Sequence, residues 1–395
     1  MAHDGQVQAP NVYDAEPIPA SAMAEIERLL SSGDLFRYTA PEGSPVALLE
    51  GEFAELMGAR YALAVASCSA ALFLSLKALD LPRGTKVLIP AFTFAAVPSA
   101  VVHAECEPVL VEVGENYRVD MDDFAAKLPG AGAVLISHMR GHTSDMDAIL
   151  DLCDAAGVPV VEDAAHSLGT TWHGRKIGTI GKIGCFSFQS YKLVNAGEGG
   201  MLITDDPELA ARCVIMSGAY EHNWKKHPGL QNSYMLWQNK LPLYNMRMQN
   251  LSAAVIRPQL PEVAGRVAKG RAGHDRVAER LNQSAYLAVP PPLAPEERAP
   301  DSIQFNLTGD WSDADARRFQ AEAKRRGITV QIFGLSEDNA RAFWNWQFLG
   351  ETPDLPKTRA MLMRAGDVRL PTRLTDDELD FIAAAIFDAA EAVKA

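Results

Sequence analysis

From about residue 60 to residue 215 the chain alternates short apolar runs with helix-like stretches, and that rhythm narrows the folds open to it. The runs are Tyr61–Ala66, Lys86–Pro90, Pro108–Val113, Ala133–Ser137, Val158–Glu162, Ile183–Phe188 and Met201–Thr204. Helical patterns such as Ala70–Leu79, Met146–Ala156 and Pro207–Met216 lie between several of them. Strand, helix, strand repetition predicts an α/β domain: a mainly parallel sheet with helices on its faces. The runs lack polar alternation, as expected of strands covered on both sides.

Residues 217 to 245 break the rhythm. They are polar and aromatic with little periodicity, and a structureless stretch of that length is usually functional. A helical stretch follows (Met248–Leu260, then about 262 to 281). Pro290, Pro291, Pro292, Pro295 and Pro300 then mark a crossing into a smaller C-terminal α/β domain. There the pattern predicts a strand near Ile303–Leu307, a helix near Asp313–Arg325, a strand near Ile328–Phe333 and a final helix. Thr375-Asp-Asp-Glu378 has the spacing of a capping box for that helix. The expected division is an N-terminal segment 1–30, a large domain 31–265 and a small domain 266–395.

Charge and cysteine usage exclude some classes. The chain carries 37 basic against 50 acidic residues, a net charge of −13, so it lacks the cationic surface that nucleic-acid binding needs. Its five cysteines are scattered, with no Cys-x-x-Cys pair, which argues against a disulfide framework and against a zinc site. Residues 1–20 contain no apolar core of a signal peptide, and no run reaches membrane-spanning length. A cytoplasmic protein with no metal and no membrane partner is expected.

Lys192 ends the segment Cys185-Phe-Ser-Phe-Gln-Ser-Tyr-Lys192, after an apolar run and before the glycine-rich turn Gly197-Glu-Gly-Gly200. A lysine at the mouth of a sheet, partly stripped of water, can serve as an amine nucleophile. An isolated lysine more often reaches into solvent, so the neighbouring motifs decide the matter. Ser67-Cys68-Ser69 joins a strand to a helix, a junction whose amides and dipole suit a phosphate. Serines there also serve as ordinary N-caps. Asp163 ends a buried run and needs a cationic partner unless it merely caps a turn. His166 lies three residues on, within reach of a phenolic oxygen. Phe94, between a strand and a helix, is placed to stack on a flat ring or to fill the core. Ser187 adds a hydroxyl near Lys192. Together these parts describe a site for pyridoxal phosphate.

The ordered set Ser67-Cys-Ser-Ala-Ala-Leu72, Pro90-Ala-Phe-Thr-Phe94, Glu162-Asp-Ala-Ala-His166, Phe186-Ser-Phe188 with Lys192, Gly197-Glu-Gly-Gly200 and Tyr244-Asn-Met-Arg-Met248 resembles the DegT/DnrJ/EryC1/StrS aminotransferases. The likeness covers about residues 25 to 265 well and the remainder more loosely. It implies the fold-type I architecture, with a seven-stranded sheet, and a transaminase using pyridoxal 5'-phosphate and its pyridoxamine form. By that likeness Lys192 forms the Schiff base and shuttles the proton, and Asp163 pairs with the ring nitrogen. His166 sits near the ring hydroxyl and Phe94 stacks on the ring. Ser67, Cys68, Ser69 and Ser187 hold the phosphate. Asn245 matches an Asn that completes the phosphate site of the neighbouring subunit, which implies a homodimer with shared active sites.

Some positions depart from that pattern. Cys68 stands where Gly is common. Arg140, in His138-Met-Arg-Gly-His142, replaces a frequent Tyr and reads equally as a grip on a substrate carboxylate or as one half of a salt bridge. The stretch Ile328–Gly334 lacks the usual proline-containing run, and an aromatic cluster, Phe343-Trp-Asn-Trp346, follows it. Lys225, with Lys226, His222 and His227, is a candidate for binding a diphosphate, against the alternative of a solvated loop. The leading expectation is transfer of an amino group from glutamate or glutamine to a keto-sugar or keto-cyclitol, in secondary-metabolite or cell-surface sugar biosynthesis. A decarboxylase, racemase or bond-forming enzyme on an amino-acid-like substrate is the alternative. A sensor that keeps the fold without turnover would not need both Lys192 and Asp163.

Overall fold

The computed structural model of the protein describes residues 9–39 and 43–394. Among the described residues up to Thr204, nine strands form: β1 (Tyr61–Val65), β2 (Lys86–Pro90), β3 (Glu107–Val111), β4 (Ala131–Ser137), β5 (Val160–Asp163), β6 (Thr171–Trp172), β7 (Arg175–Lys176), β8 (Ile183–Ser187) and β9 (Gly200–Thr204). Seven of them build one sheet in the order β1-β9-β8-β5-β4-β2-β3. Each of the seven apolar runs read from the sequence is one of those strands. β3, β2, β4, β5 and β8 are parallel, whereas β9 runs antiparallel to both β8 and β1. The reversal has a local cause. Parallel neighbours need a crossover, usually helical, but residues 188–199 form only turns and return the chain beside β8. That return loop carries Lys192.

Both faces of the sheet are buried, and the strands' two-residue period sorts side chains between them. Leu63, Val65, Val87 and Ile89 pack with Leu72, Leu76 and Val101 in one apolar cluster. Ala64 and Leu88 join Leu49, Phe53 and Ile149 in another. Helices α1 (Met23–Ser32), α2 (Pro45–Met57), α3 (Cys68–Ala78) and α4 (Ala96–His103) supply part of the covering. Phe53 of α2 meets Phe186 and Phe188 edge-on at 5.1 and 5.7 Å, which anchors the end of β8. Losing one such buried aromatic costs about 3–5 kcal/mol, so the root of the Lys192 loop is held firmly.

Residues 217–245 are less irregular than expected: they contain a 3-10 turn (Asn223–Lys226) and a short helix (Gln231–Trp237). Buried Trp224 and Tyr234, 5.5 Å apart, tie this excursion to the large core. His227 is buried too. It contacts Arg37 and Tyr38, and Arg37 forks onto Glu50 at 2.6 and 2.5 Å. Aromatic anchoring, not helical periodicity, orders the segment, so a periodicity search does not reveal it.

A second, antiparallel sheet has the order β10-β12-β14-β13, from β10 (Leu287–Ala288), β12 (Ser302–Leu307), β13 (Gln331–Ile332) and β14 (Ala365–Arg369). A short β11 (Glu296–Glu297) instead joins β6 and β7. The strand expected over 328–333 contracts to β13, because the chain turns into a 3-10 turn at Phe333. Helices Val263–Leu281, Asp313–Arg325 and Asp376–Lys394 accompany this sheet. The capping box forms: Glu378 N–H donates to Thr375 Oγ1 at 3.3 Å and Thr375 N–H to the Glu378 carboxylate at 2.8 Å. Among the described residues no helix is long and apolar enough to cross a membrane.

Candidate active site

The C-terminal ends of β5 and β8, the start of α3 and the turn after β2 surround a cavity of about 510 Å³. Ligands gather at this edge in open parallel sheets because helix starts and loop amides point there. Ser67 and Ser69 border the cavity at the start of α3, with Cys68 between them. Ser67 also caps the helix, accepting from Ala70 N–H at 3.1 Å. β9 packs so closely under this turn that a Cβ on Gly200 would lie 2.3 Å from the Ser67 carbonyl carbon. Only glycine allows that approach, and it sets the helix start against the sheet.

Glu162 and Asp163 are adjacent on β5 and therefore face opposite sides. Glu162 is structural: its carboxylate accepts from the amides of Gly178, Ile180 and Gly181 at 2.6–2.8 Å and contacts His138. Asp163 is buried and lines the cavity. Ser137 Oγ donates to its Oδ2 at 2.8 Å, and Ala165 N–H donates to its Oδ1 at 3.1 Å. Thr93 in turn donates to Ser137 Oγ at 2.8 Å. Among the described residues no cation forms a salt bridge with Asp163, and the hydrogen bonds to its buried carboxylate come from neutral donors.

Lys192 Nζ lies 2.6 Å from His166 Nε2, and His166 Nδ1 lies 3.3 Å from Asp301 Oδ2. Burial, followed by the charge of Lys192, drives the imidazole pKa down to about 3. The ring is therefore neutral at ordinary pH. The consistent arrangement has Nδ1–H donating to Asp301 and Nε2 accepting from the lysine. Burial also draws Lys192 down to about 8, with Arg140 adding to the effect and Asp301 and Asp163 opposing it. The Asp301 carboxyl is held well below its usual range; burial opposes this, but His166, Arg140 and Lys192 prevail.

Phe94 also borders the cavity and is 46% exposed, so it is not a core side chain. Ser187 and His166 line the cavity as well. Arg140 reaches it from a 3-10 turn after β4, with a left-handed backbone (φ 55°). Its Nη2 bonds Asp367 Oδ2 at 2.5 Å. Of the two readings of Arg140, the structure displays the ion pair. Asn245 and Lys225 lie outside the cavity, and both are exposed. Lys225 stands over the Trp224 ring at 5.6 Å. Asn245 belongs to a segment that pairs with β1, through Ala66 N–H to Met246 O at 2.9 Å.

Asp301, Arg341, Asp367 and Arg369 escaped the sequence reading, as did Tyr13. Asp301 carried a usable signal: a lone acid directly before the apolar run of β12 should find a buried partner. The others come from segments far along the chain, and no local pattern joins them to Lys192.

A mainly parallel sheet with a lysine and a buried acid at its carboxyl edge, and a helix start opposite, defines a fold-type I pyridoxal-phosphate enzyme. Residues 19–387 match the DegT/DnrJ/EryC1/StrS aminotransferase family, and the chain belongs to it. It is similar to the spore coat polysaccharide biosynthesis protein SpsC of Bacillus subtilis, with 30% identity over 95% of this chain and 96% of the relative. It is 34% identical to a UDP-N-acetyl-3-dehydro-alpha-D-glucosamine 3-aminotransferase of Acidithiobacillus ferrooxidans, over 72% of this chain and 74% of that one. Among solved structures, 3-amino-5-hydroxybenzoic acid synthase superposes with a TM-score of 0.84 at 26% identity, covering 98% of this chain and 100% of that one. The protein is thus a PLP-dependent transaminase with small-molecule donor and acceptor substrates. The site fits the cofactor on its own terms: a buried acid without a cation, an amine near neutrality and a helix start share one cavity.

The amine makes a pH-dependent prediction. Below about pH 8 Lys192 is mostly protonated and unreactive, so capture of pyridoxal phosphate by the apoprotein should slow about tenfold per pH unit and level off above pH 8. The folded chain also binds fewer protons than the unfolded one between 8 and 10.5, so this group favours folding increasingly as pH rises through that window. Stopped-flow absorbance of cofactor binding checks the rate. A profile still rising steeply to pH 10 would contradict the depressed lysine.

Proposed function

We propose that this aminotransferase moves an amino group from glutamate or glutamine to a ketone of a sugar or cyclitol. The observation that carries the reading is the meeting of Lys192 and Asp163 in one cavity, in a chain matching the family over residues 19–387. A relative supports the acceptor class: the Acidithiobacillus ferrooxidans enzyme is named for aminating a UDP-linked dehydro-glucosamine. When bound, pyridoxal phosphate supplies an electron sink beside the reacting carbon.

The chain's own residues do the rest. Asp163 would hold the ring nitrogen protonated, since a buried carboxylate stabilises an adjacent cation strongly. Ser67, Cys68, Ser69 and Ser187 would take the phosphate at the α3 start, where amides and dipole favour an anion. Phe94 would cover the ring. With the cofactor present, Lys192 would hold it through its side-chain amine and would then hold and move the proton at the donor's α-carbon. His166, kept neutral by burial, accepts the lysine's hydrogen bond and steadies Nζ, while Asp301 fixes the imidazole tautomer.

Asn245 completes the phosphate site of a second copy in this reading. Its exposure on the segment pairing with the edge strand β1 supports a homodimer with shared sites. A monomer with full cofactor affinity in sedimentation would contradict that part. The division into 1–30, 31–265 and 266–395 is retained, supported by a separate apolar cluster around Phe305, Phe319 and Ile386. The cytoplasmic setting belongs to the same proposal, supported by five buried free thiols that a reducing compartment preserves.

The direct experiment incubates holoprotein with L-glutamate or L-glutamine and then with keto-sugar nucleotides, free keto-cyclitols and keto acids in turn. One keto acid should appear per amine transferred to a sugar or cyclitol acceptor. Release of carbon dioxide, or racemised donor without keto acid, would favour the alternative chemistry instead.

A further inference from the structure

Three arginines, Arg140, Arg341 and Arg369, line the cavity that Phe94 borders, and their partners differ. Arg140 is paired with Asp367, whose other oxygen accepts from Gln304 at 2.8 Å. Arg369 spends its Nη groups on the carbonyls of Val12 and Tyr191 at 3.0 and 3.3 Å. Arg341 differs. Among the described residues its guanidinium makes no hydrogen bond and no salt bridge, and its Nε is buried without a partner. A buried unpaired donor is costly and calls for an explanation, and here the side chain that carries it lines a cavity.

The side chain is also held ready. Its guanidinium carbon lies 5.7 Å from the Phe94 centroid and 5.8 Å from that of Phe333, so two rings support it without consuming its donors. Its loop is fastened at several points. Arg341 N–H donates to Asn339 Oδ1 at 2.9 Å and Trp346 Nε1 to Ala340 O at 2.9 Å, while Ala95 N–H reaches Ala340 O at 3.0 Å. The aromatic cluster after residue 342 thereby acquires a role. Phe343 and Trp346 bury themselves in the large core and fix the loop that presents Arg341 beside Phe94.

We propose that Arg341 is the recognition group for a carboxylate of the amino donor, bound in the cavity next to the ring position marked by Phe94. This rests on the transaminase reading above and adds the donor's anchor to it. One free guanidinium offers one bidentate fork, which matches a single planar carboxylate. A diphosphate would call on several free cations, and Arg140 and Arg369 are already engaged. The same fork serves the keto acid that leaves after the first half-reaction, since transamination leaves the carboxylates unchanged.

Three proteins test this: wild-type holoenzyme, Arg341→Gln and Arg341→Lys. Calorimetry measures binding of glutarate, an unreactive dicarboxylate, and in a separate arm inorganic pyrophosphate. Rapid mixing with L-glutamate follows the cofactor absorbance through one half-reaction. Arg341→Gln should weaken glutarate about 10- to 100-fold and raise the glutamate concentration for half-maximal rate similarly, with the limiting rate changed less. Arg341→Lys should recover part of the affinity, and pyrophosphate should bind weakly to all three. Glutarate affinity equal in wild type and Arg341→Gln would overturn the proposal, as would pyrophosphate binding that outranks glutarate and disappears in the variant. If wild type shows no absorbance change with any amino donor, the transaminase reading fails, a result distinct from either of these.

Discussion

Turnover should fall by at least about 10³-fold when Lys192 is replaced by alanine, because one amine serves as both nucleophile and proton carrier. Among the described residues lining the cavity it is the only lysine, so no neighbour can substitute. His166, 2.6 Å away, is held neutral with a pKa near 3 and turns its other nitrogen to Asp301, so it is a poor proton acceptor. Removing a half-buried ammonium leaves the fold intact or slightly more stable, since its burial was unfavourable. Steady-state rates, alongside near-identical thermal midpoints, would separate chemistry from folding. Partial rescue by a small added amine such as methylamine is expected, as it restores the missing base. A variant within about tenfold of wild type would leave Lys192 without its assigned role.

Asp163→Asn should lower kcat/KM by about 10²- to 10³-fold, the scale seen when one preorganised electrostatic partner is lost. The substitution is nearly isosteric and removes the charge that stabilises a protonated ring nitrogen. It also upsets a directional chain. Thr93 donates to Ser137 and Ser137 donates to Asp163, an order fixed because a carboxylate can only accept. An amide nitrogen facing Ser137 forces that hydroxyl to turn or stay unpaired. Asp163→Glu keeps the charge and should recover more activity than Asn, unless the longer side chain displaces the ring. Full activity in Asp163→Asn would mean that protonation of the ring comes from elsewhere.

Much of the large domain was legible because burial on both faces writes itself as continuous apolar runs. Lys86–Pro90 and Ile183–Phe188 needed no tertiary information to be read as strands. Direction did not show in the same way: Met201–Thr204 looks like its neighbours, and only the missing helix in 188–199 betrays the reversal. Ser67, Asp163 and Lys192 could be found because each lies at the end of such a run, where chain position alone predicts proximity to the sheet's carboxyl edge. Arg341 and Asp301 could not be, since they approach from the second sheet and its loops and share no local pattern with the first. Asn245 and Lys225 illustrate the opposite limit. Motif and charge singled them out, but within one chain they lie on the surface, away from the cavity.

The chemistry depends on which amine engages the cofactor, and reductive trapping answers that directly. Borohydride treatment of holoprotein, followed by digestion and mass spectrometry, should place a single pyridoxyl group on the peptide carrying Lys192. Recovery of the group on another lysine, or no fixed group in protein that transaminates, would contradict it.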